Sequence, residues 1–426
     1  MGYVDLRYRP AGDDVVCLYK VRPTRGLSVR EAADDIAGES STGTWTDVST
    51  TDPGIRKLGA RVFCIRGGWV KIAYPIELFE PGNMPQVLSG IAGNVFGMKS
   101  VVTLRLQDIS WPRKLMRSFR GPMFGIGGVR KLMRVKKRPL LGTIIKPKVG
   151  LRADKHARVA YDCWTGGVDI VKDDENLSSM GFNKFNERVV RTLRMAGRAE
   201  TETGERKVYI PNVTAETGEM LRRARFVKEE GGTHVMVDIV TVGWSGLQTL
   251  REANEEFGLA IHAHRAGHAA IDKGDNGISM AVLASVSRII GVDQLHIGTV
   301  VGKMSGSREE EIIIRDKTSG KGNQPSWSLP SLGQNWFGTL PAFPVCSGGL
   351  HPGHVPALVG IFGKDIIIQA GGGVHGHPDG SSAGAMAMRQ AGEAVTRGVD
   401  INKYAEGRKE LKRALEKWGV CRHILD

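Results

Sequence analysis

A lysine and three carboxylates stand together where an apolar, β-branched run ends. Lys172, Asp173, Asp174 and Glu175 directly follow the run Val168–Val171. Alternate side chains of a strand share one face, so Lys172 and Asp174 are expected to point the same way, and Glu175 can join them as the strand ends. Clustered carboxylates suit Mg2+, and although an ammonium group would repel the metal, a carbamate formed from Lys172 and CO2 would be a further anionic ligand. The alternative is a solvated charge run at a strand end.

The stretch Gly167–Asn176, Gly-Val-Asp-Ile-Val-Lys-Asp-Asp-Glu-Asn, resembles the metal-site motif of the large subunit of ribulose-1,5-bisphosphate carboxylase/oxygenase (RuBisCO). The lysine of that motif is carbamylated by CO2 and binds magnesium, which implies Lys172 as the carbamate, with Asp174 and Glu175, as the Mg2+ ligands. Matching segments run from about Gly38 to Gly373. The resemblance is closest to the compact archaeal form III enzymes, which work without a small subunit.

Two more lysines occur in Ile145-Lys146-Pro147-Lys148. Alone they could be a surface pair, but beside Lys172 these cations would lower its pKa and so raise the fraction of neutral amine that can react with CO2. The segment resembles the family's Lys-Pro-Lys motif, which implies Lys146 as a proton-transfer group and Lys148 as its support. Ile144 stands where many relatives carry threonine.

Histidines and an arginine end another β-branched run. His262 and His264 share one strand face, as a zinc pair would, but no third ligand of suitable type follows nearby. Arg265 can donate two hydrogen bonds to a phosphate. The stretch resembles the family's His-x-His-Arg segment, which implies His264 as a catalytic or substrate-orienting imidazole and Arg265 as a phosphate ligand. By the same resemblance His296 assists at that phosphate, whereas an isolated strand histidine would ordinarily be a core residue.

The glycine-flanked segment Gly302–Gly306 has the composition of a mobile lid with a lysine at its tip. It resembles the RuBisCO loop whose lysine polarises the incoming CO2, which implies that role for Lys303. Ser305 stands where many relatives have an acidic residue.

Two glycine clusters follow later apolar runs. Ser347, Gly348 and Gly349 form one, and Gly371 and Gly372 begin the other. Turns would explain both, but after strands seven and eight of a barrel, exposed backbone amides form a phosphate cradle. The resemblance assigns Gly349, Gly371 and Gly372 to one phosphate and Ser347 to the other, so the implied substrate is a bisphosphate, ribulose 1,5-bisphosphate.

Two N-terminal segments resemble RuBisCO segments that complete the site of the partner subunit. The residues concerned are Glu39, Thr44, Trp45 and Asn94. Without the resemblance they would be loop residues and a helix end. With it, they imply a homodimer, or a ring of dimers, as the active assembly.

The elements that must position these residues change character near residue 139. Before it, the pattern predicts a strand at Val15–Val21, a helix after Ser28 with Glu31 completing a capping box, a hairpin within Ala60–Leu78 that turns at Arg66–Gly68, a helix at Met84–Ile91 and a strand at Val101–Leu106. Strands with two helices on one side indicate a small α+β (ferredoxin-like) domain over residues 1–120.

From there on, short β-branched runs alternate with stretches long enough for one helix, for example Glu216–Glu230 and Gly246–Phe257. The runs are Leu141–Ile145, Val168–Val171, Val208–Pro211, His234–Val240, Ala260–His264, Leu295–Val300, Ala342–Cys346 and Ile366–Gln369. Eight such runs indicate an α/β protein whose residues 121–426 form a catalytic (β/α)8 TIM barrel, closed by C-terminal helices from Ser381. In that fold the chemistry lies after the carboxyl ends of the strands, where the residues above fall.

Composition limits the alternatives. The 426 residues, 41% apolar and 24% charged, can form one large and one smaller domain. No run approaches the roughly 18 apolar residues of a membrane span, and the N-terminus lacks a signal peptide's apolar core, so we expect a cytoplasmic protein without a membrane partner. The five scattered cysteines have no metal-ligand spacing and are interpreted as reduced core residues.

The net charge of +14 is compatible with nucleic acid, anionic surfaces or multiply charged phosphate substrates. The densest basic tract, Arg113–Arg138, has few aromatic residues for base stacking, so we interpret it as a solvated linker and helix face and expect no nucleic-acid partner.

The function indicated is carboxylation of ribulose 1,5-bisphosphate by CO2, with O2 as a competing substrate. The rival is a RuBisCO-like sugar-phosphate enolase or isomerase that does not fix CO2. Such proteins typically replace several catalytic residues, whereas the following are all present: Lys146, Lys148, Lys172, Asp174, Glu175, His264, Lys303 and Ser347.

Overall fold

The computed structural model describes residues 2–44, 46, 48–50, 52–301, 308–328 and 330–421. The chain divides into two compact units. One comprises Met1–Gly121, Gly267–Ile290 and Gly320–Thr339, and the other Pro122–Ala266, Gly291–Ser319 and Leu340–Asp426. Among the described residues, every helix is too short or too polar to span a lipid bilayer.

The secondary structure of the described ranges alternates strands and helices along most of the chain. The strands are β1 (Val15–Pro23), β2 (Arg61–Arg66), β3 (Trp69–Tyr74), β4 (Val101–Ser110), β5 (Leu140–Ile144), β6 (Ile170–Lys172), β7 (Val208–Ile210), β8 (His234–Asp238), β9 (Ala260–His264), β10 (Gly277–Ile278), β11 (Gln294–His296), β12 (Gly322–Asn323), β13 (Gln334–Asn335), β14 (Phe343–Ser347) and β15 (Ile367–Gln369). The α-helices are α1 (Val29–Glu39), α2 (Pro53–Lys57), α3 (Met84–Ala92), α4 (Arg113–Met116), α5 (Gly125–Met133), α6 (Ala153–Thr165), α7 (Phe185–Thr203), α8 (Thr217–Glu229), α9 (Ile239–Phe257), α10 (Ala269–Asp272), α11 (Met280–Ile290), α12 (Arg308–Ser319), α13 (Val355–Phe362), α14 (Gly372–His375), α15 (Gly380–Arg397), α16 (Ile401–Ala405) and α17 (Lys409–Trp418). Short 3-10 turns occupy Ile76–Leu78, Asn94–Gly97 and Pro352–His354.

The first unit is built on a five-stranded sheet in the order β10-β4-β1-β3-β2. The pairs β1/β3, β1/β4 and β2/β3 are antiparallel, and β10 lies parallel to β4. The chain order β1, α1, β2, β3, α3, β4 combined with the sheet order β4-β1-β3-β2 is ferredoxin-like, so the predicted α+β architecture is confirmed. The strand β10 was not predicted.

Local signals in the sequence start and stop the elements of this unit as expected. The Ser28 hydroxyl accepts a hydrogen bond from the Glu31 N–H at 3.2 Å, and the Ser28 N–H donates to Glu31 Oε2 at 2.8 Å. This capping box satisfies backbone groups that the first turn of α1 leaves without helical partners. The predicted hairpin turn separates β2, which ends at Arg66, from β3, which begins at Trp69.

The second unit is a closed barrel of eight parallel strands in the order β7-β6-β5-β15-β14-β11-β9-β8. A parallel bridge between Asn212 and Met236 joins the end of β7 to β8, and the Val213 N–H donates to the Met236 carbonyl at 2.9 Å. The strands follow chain order around the ring, and each overlaps one of the eight predicted runs. The predicted (β/α)8 TIM barrel is therefore confirmed.

Two predicted helices of the barrel lie close to their expected positions. The stretch Glu216–Glu230 contains α8, and the helix expected over Gly246–Phe257 lies in the second part of α9, after a kink at Gly243 (φ 72°, ψ 173°). The short helical segment before the kink was not predicted, because the apolar residues after β8 were assigned to the strand itself.

One end of the barrel is closed by α5, whose residues Val129 and Met133 pack into a fully buried apolar cluster with the strands. Part of the basic tract therefore belongs to this packed helix. Beside it, both terminal nitrogens of Arg138 donate to the buried Asp169 carboxylate at 2.6 Å, and the Leu141 N–H donates to the same carboxylate at 2.9 Å. These bonds tie the chain before β5 to the start of β6.

Candidate active site at the carboxyl ends of the barrel strands

The predicted site residues of the barrel that the structure describes lie where its parallel strands end. Lys172, His264, His296 and Ser347 are the last residues of β6, β9, β11 and β14. The remaining predicted barrel residues follow strand ends in loops or short helices: Lys146, Lys148, Asp174, Glu175, Arg265, Gly348, Gly349, Gly371 and Gly372. Strands that run in parallel end at the same face, so one side of the barrel carries this set.

The side chain of Lys172, including its amine, is buried. Its side chain is 1% exposed, and Nζ donates to the Asp173 carbonyl at 2.7 Å and approaches Met236 Sδ at 3.2 Å. Burial lowers the pKa of Lys172 below its ordinary value, against the opposing effect of nearby carboxylates, of which Glu175 and Asp174 are the strongest. The low dielectric disfavours the ammonium form, so more of the amine is neutral at a given pH.

The ammonium groups of Lys146 and Lys148 were predicted to lower the pKa of Lys172, and that prediction was wrong, because burial lowers it. Lys146 Nζ lies 2.6 Å from Asp174 Oδ2, and Lys148 Nζ donates to Asn176 Oδ1 at 3.3 Å. The charge of Lys146 is thus compensated by a carboxylate. The pKa of Lys172 is lowered by burial, which depends on the tertiary structure, and not by repulsion from neighbouring cations.

The residues around Lys172 fit a Mg2+ site that lacks one anionic ligand. Asp174 is 1% exposed and Glu175 is partly exposed, and both exert an electrostatic effect on Lys172. Across the described ranges, no group of three or more His, Cys, Asp or Glu side chains is arranged to hold a metal ion. Two carboxylates beside a neutral-prone lysine are the set that a carbamate on that lysine would complete.

His264 is held between two carboxylates. Its Nδ1 lies 2.6 Å from Asp238 Oδ1, and its Nε2 lies 3.6 Å from Glu175 Oε2. Asp238 is buried and ends β8. Sequence reasoning missed Asp238 because the predicted strand ran on to Val240, yet a carboxylate near the end of an apolar run was the available signal.

Two further strand histidines, His262 and His296, form a hydrogen-bonded chain along the neighbouring strands β9, β11 and β14. His262 Nδ1 lies 2.7 Å from Gln294 Oε1, and its Nε2 lies 2.8 Å from His296 Nε2. His296 Nδ1 in turn lies 2.7 Å from Ser347 Oγ. Burial lowers the pKa of both His262 and His296 well below the ordinary value, so both imidazoles are neutral. His262 thus faces protein partners on both ring nitrogens, while His264 faces Asp238.

The glycine clusters bring backbone close to the site. Gly348 and Gly349 have φ of 123° and 75°, a region that other residues rarely adopt. A Cβ at Gly371 would lie 3.0 Å from Lys146 Cε. Gly371 follows β15, the last strand of the barrel, and Lys146 follows β5, the first strand of the barrel. Because Gly371 has no side chain, the backbone there can lie directly against Lys146.

In the first unit, two of the predicted N-terminal residues come together. The Asn94 amide donates to Glu39 Oε1 at 3.2 Å, and both residues are exposed. Thr44 is exposed as well. Trp45 and Lys303 lie outside the described residues.

A buried ionic network behind the metal-site carboxylates was also missed. Asp173 is fully buried and accepts hydrogen bonds from the Tyr209 hydroxyl at 2.6 Å and the Asn212 N–H at 3.0 Å. Arg188 lies 3.1 Å away and His156 3.2 Å away. Burial alone would raise the pKa of Asp173, but Arg188 and the other donors hold it well below its usual range. The period of a strand placed Asp173 on the face opposite Lys172 and Asp174, but nothing local indicated its partners.

Two family models cover most of the chain. "Ribulose bisphosphate carboxylase large chain, N-terminal domain" matches residues 2–115, and "Ribulose bisphosphate carboxylase large chain, catalytic domain" matches residues 125–418. The chain belongs to the RuBisCO large-chain family. The ribulose bisphosphate carboxylase of Methanosarcina mazei is 51% identical over 421 residues, which are 98% of each chain.

Solved archaeal RuBisCO structures have the same fold. The dimeric enzyme from Hyperthermus butylicus is 44% identical, with a TM-score of 0.93 over 98% of this chain and 99% of that one. The octameric enzyme from Pyrococcus horikoshii is 47% identical, with a TM-score of 0.90 over 99% and 97% of the two chains. The predicted archaeal RuBisCO type is confirmed. The chain is an enzyme of the carbon–carbon lyase class, and the relatives do not favour the rival enolase or isomerase.

Proposed function

We propose that this chain carries out the carboxylation of ribulose 1,5-bisphosphate, with O2 as a competing substrate, after CO2 has modified Lys172. The observation that carries the proposal is the burial of Lys172 beside Asp174 and Glu175. An ordinary exposed lysine is almost entirely protonated at neutral pH and cannot attack CO2. Burial of the amine raises the reactive neutral fraction. Its attack on CO2 forms a C–N bond and releases one proton from the nitrogen to solvent, which leaves an anionic carbamate.

The carbamate of Lys172, Asp174 and Glu175 would hold Mg2+. When bound, the metal supplies Lewis-acid stabilisation of the negative charge that develops on the substrate oxygens. Lys146 Nζ lies 2.6 Å from Asp174 Oδ2, which places the proposed proton-transfer lysine beside the proposed metal site.

Proton transfers fall to Lys146 and His264. Lys146 would protonate the carbanion released when the carboxylated, hydrated substrate cleaves, and Lys148 would support it. His264, fixed by Asp238 at 2.6 Å, would orient the substrate or move protons near carbon 3. Lys303 would polarise the CO2 that adds to the substrate.

Two phosphate positions are proposed on the barrel face. Arg265 would bind one phosphate as a bidentate donor, with His296 beside it. Ser347, hydrogen-bonded to His296 at 2.7 Å, lies on the same side of the barrel and supports that grouping. The backbone amides of Gly349, Gly371 and Gly372 would bind the other phosphate, with Gly348 as a further substrate-binding residue beside them.

The active assembly is proposed to be a homodimer or a ring of dimers that needs no small subunit. Glu39, Thr44, Trp45 and Asn94 would complete the site of the partner subunit. The contact between Glu39 and Asn94 supports this, since two exposed polar residues far apart in sequence are brought to one place. The relatives described as dimeric and octameric support the same arrangement.

The direct test is to activate the enzyme with CO2 and Mg2+, then add ribulose 1,5-bisphosphate and labelled bicarbonate. We expect labelled 3-phosphoglycerate, with an initial lag when the activation step is omitted. When Lys172 is replaced by arginine in this assay, Lys155→Arg is the matched control. Lys155 is exposed, so this variant should behave as wild type. An absence of labelled product from the activated wild type would contradict the proposal.

A further inference from the structure

Glu311, on α12, is a buried carboxylate that the proposed chemistry does not use. It is 3% exposed, and its Oε2 has no hydrogen-bond partner among the described residues. Its Oε1 and Arg265 Nη2 both crowd Gly298: a Cβ at that glycine would lie 2.8 Å from the first and 2.7 Å from the second. A carboxylate therefore lies beside the arginine assigned to a substrate phosphate.

Near neutral pH, the protonated and ionised forms of Glu311 are close in free energy. Burial raises its pKa to about 7, although Arg265 and the backbone N–H of Thr299 favour the charged form. Among the described residues, the other titratable groups that act on it are Cys346, from β14, and Glu310, from its own helix. The thiol is neutral because burial raises the pKa of Cys346 well above the ordinary value, and Glu310 adds to the raised pKa of Glu311.

We propose that Glu311 is a positioning residue that couples phosphate binding at Arg265 to uptake of a proton. When ionised, Glu311 partly neutralises the guanidinium and repels an incoming phosphate dianion. When protonated, Glu311 is neutral, and the full positive charge of Arg265 is available to bind the phosphate. The proposal rests on the proposed function in one respect, the assignment of Arg265 to a substrate phosphate.

The sign of the coupling follows from linkage. A bound dianion disfavours ionised Glu311, so its pKa is higher in the complex than in the free enzyme. Binding is therefore strongest below the pKa of the free enzyme and weakens as pH rises above it, until the pKa of the complex is reached. With a free-state pKa of about 7, the KM for ribulose 1,5-bisphosphate should rise up to about fivefold between pH 7 and 8. Once substrate is bound, kcat should be unaffected by this group.

Calorimetric titration of metal-free enzyme with ribulose 1,5-bisphosphate, in two buffers of different ionisation enthalpy, counts protons without turnover. At pH 7.5 wild type should take up roughly three-quarters of a proton more than Glu311→Gln, the nearly isosteric variant that cannot ionise. Glu309→Gln, which changes an exposed glutamate of the same helix, should match wild type. With CO2- and Mg2+-activated enzyme, the KM of Glu311→Gln should stay flat from pH 7 to 8.

Equal proton uptake by wild type and Glu311→Gln, or a pH effect on kcat rather than KM, would overturn the inference. If Glu311→Gln does not fold, sulfate serves as a second probe with wild type, because it has no proton to exchange in this range. Sulfate binding without proton uptake would then be the contrary result. Failure of the proposed function would show instead as the absence of carboxylation by wild type, which the proton count does not require.

Discussion

Replacing Asp169, at the end of the barrel that α5 closes, should lower the stability of the protein without changing the chemistry at the opposite end. The Asp169 carboxylate is 1% exposed and accepts two hydrogen bonds from Arg138 at 2.6 Å and one from the Leu141 N–H at 2.9 Å. In Asp169→Asn one of these oxygens becomes an amide NH2 group, which cannot accept from a donor. The guanidinium is then left partly buried without its counter-charge.

The structure sets the size of the effect. Removing one partner of a buried ion pair costs about 3–5 kcal/mol, and we expect about 3 kcal/mol because Arg138 keeps the Pro139 carbonyl as an acceptor and some contact with water. Asp169 precedes Lys172 by three residues of strand, roughly 10 Å. The kcat of folded enzyme should therefore stay within about twofold of wild type, since residues at this end of a barrel act on stability.

The assay is thermal unfolding at a fixed scan rate, together with kcat of the surviving enzyme. We expect the apparent midpoint temperature of unfolding of Asp169→Asn to lie several degrees below that of wild type. Asp162→Asn is the matched control, because Asp162 forms an exposed helical pair with Arg158 at 3.1 Å, and its loss should cost less than about 0.5 kcal/mol. If the two variants were equally stable, the reasoning about the buried pair would be refuted.

Three further outcomes are expected. Lys172→Arg should be inactive even after incubation with CO2 and Mg2+, since a guanidinium stays cationic and forms no such carbamate; substantial labelled phosphoglycerate from it would exclude the carbamate. Lys303→Ala should lose carboxylation yet retain exchange of the carbon 3 proton with labelled water, and equal loss of both activities would assign Lys303 another role. Refolding Asn94→Ala together with Lys172→Ala should restore roughly a quarter of wild-type carboxylation, because about half the dimers are mixed and one of the two sites in each is intact. Proven subunit exchange without recovered activity would place Asn94 outside the partner's site.

The barrel could be predicted because its signal is local and repeated. Each β-branched run, such as Val208–Pro211, must be buried on both faces of a parallel strand, and helix-length stretches between the runs leave few other architectures. The strand β10 could not be predicted, because Gly277 and Ile278 become a strand only by pairing with β4 at Arg105 and Leu106. A two-residue segment carries no periodicity of its own.

The candidate site shows the same division between local and tertiary information. Asp174 and Glu175 were predicted beside Lys172, and they are the carboxylates with the strongest electrostatic effect on its pKa, although β6 ends at Lys172 and both lie in the segment after it. The cause of the pKa shift at Lys172 was misjudged, since its burial depends on neighbouring strands rather than on adjacent residues. Asp238 and Glu311 were missed for the same reason, as each gains its role only from a side chain on another element.

The five-stranded sheet of the first unit has a consequence for synthesis on the ribosome. The Leu104 N–H, on β4, donates to the side chain of Asn276, which lies 172 residues later in the chain. At the usual rate of translation, those residues take on the order of ten to thirty seconds to make. During that interval β4 lacks its neighbour β10 and presents an unpaired edge, the kind of surface to which other extended chains add. Until the chain after β9 has emerged, the N-terminal unit therefore exposes the β4 edge at Arg105 and Leu106.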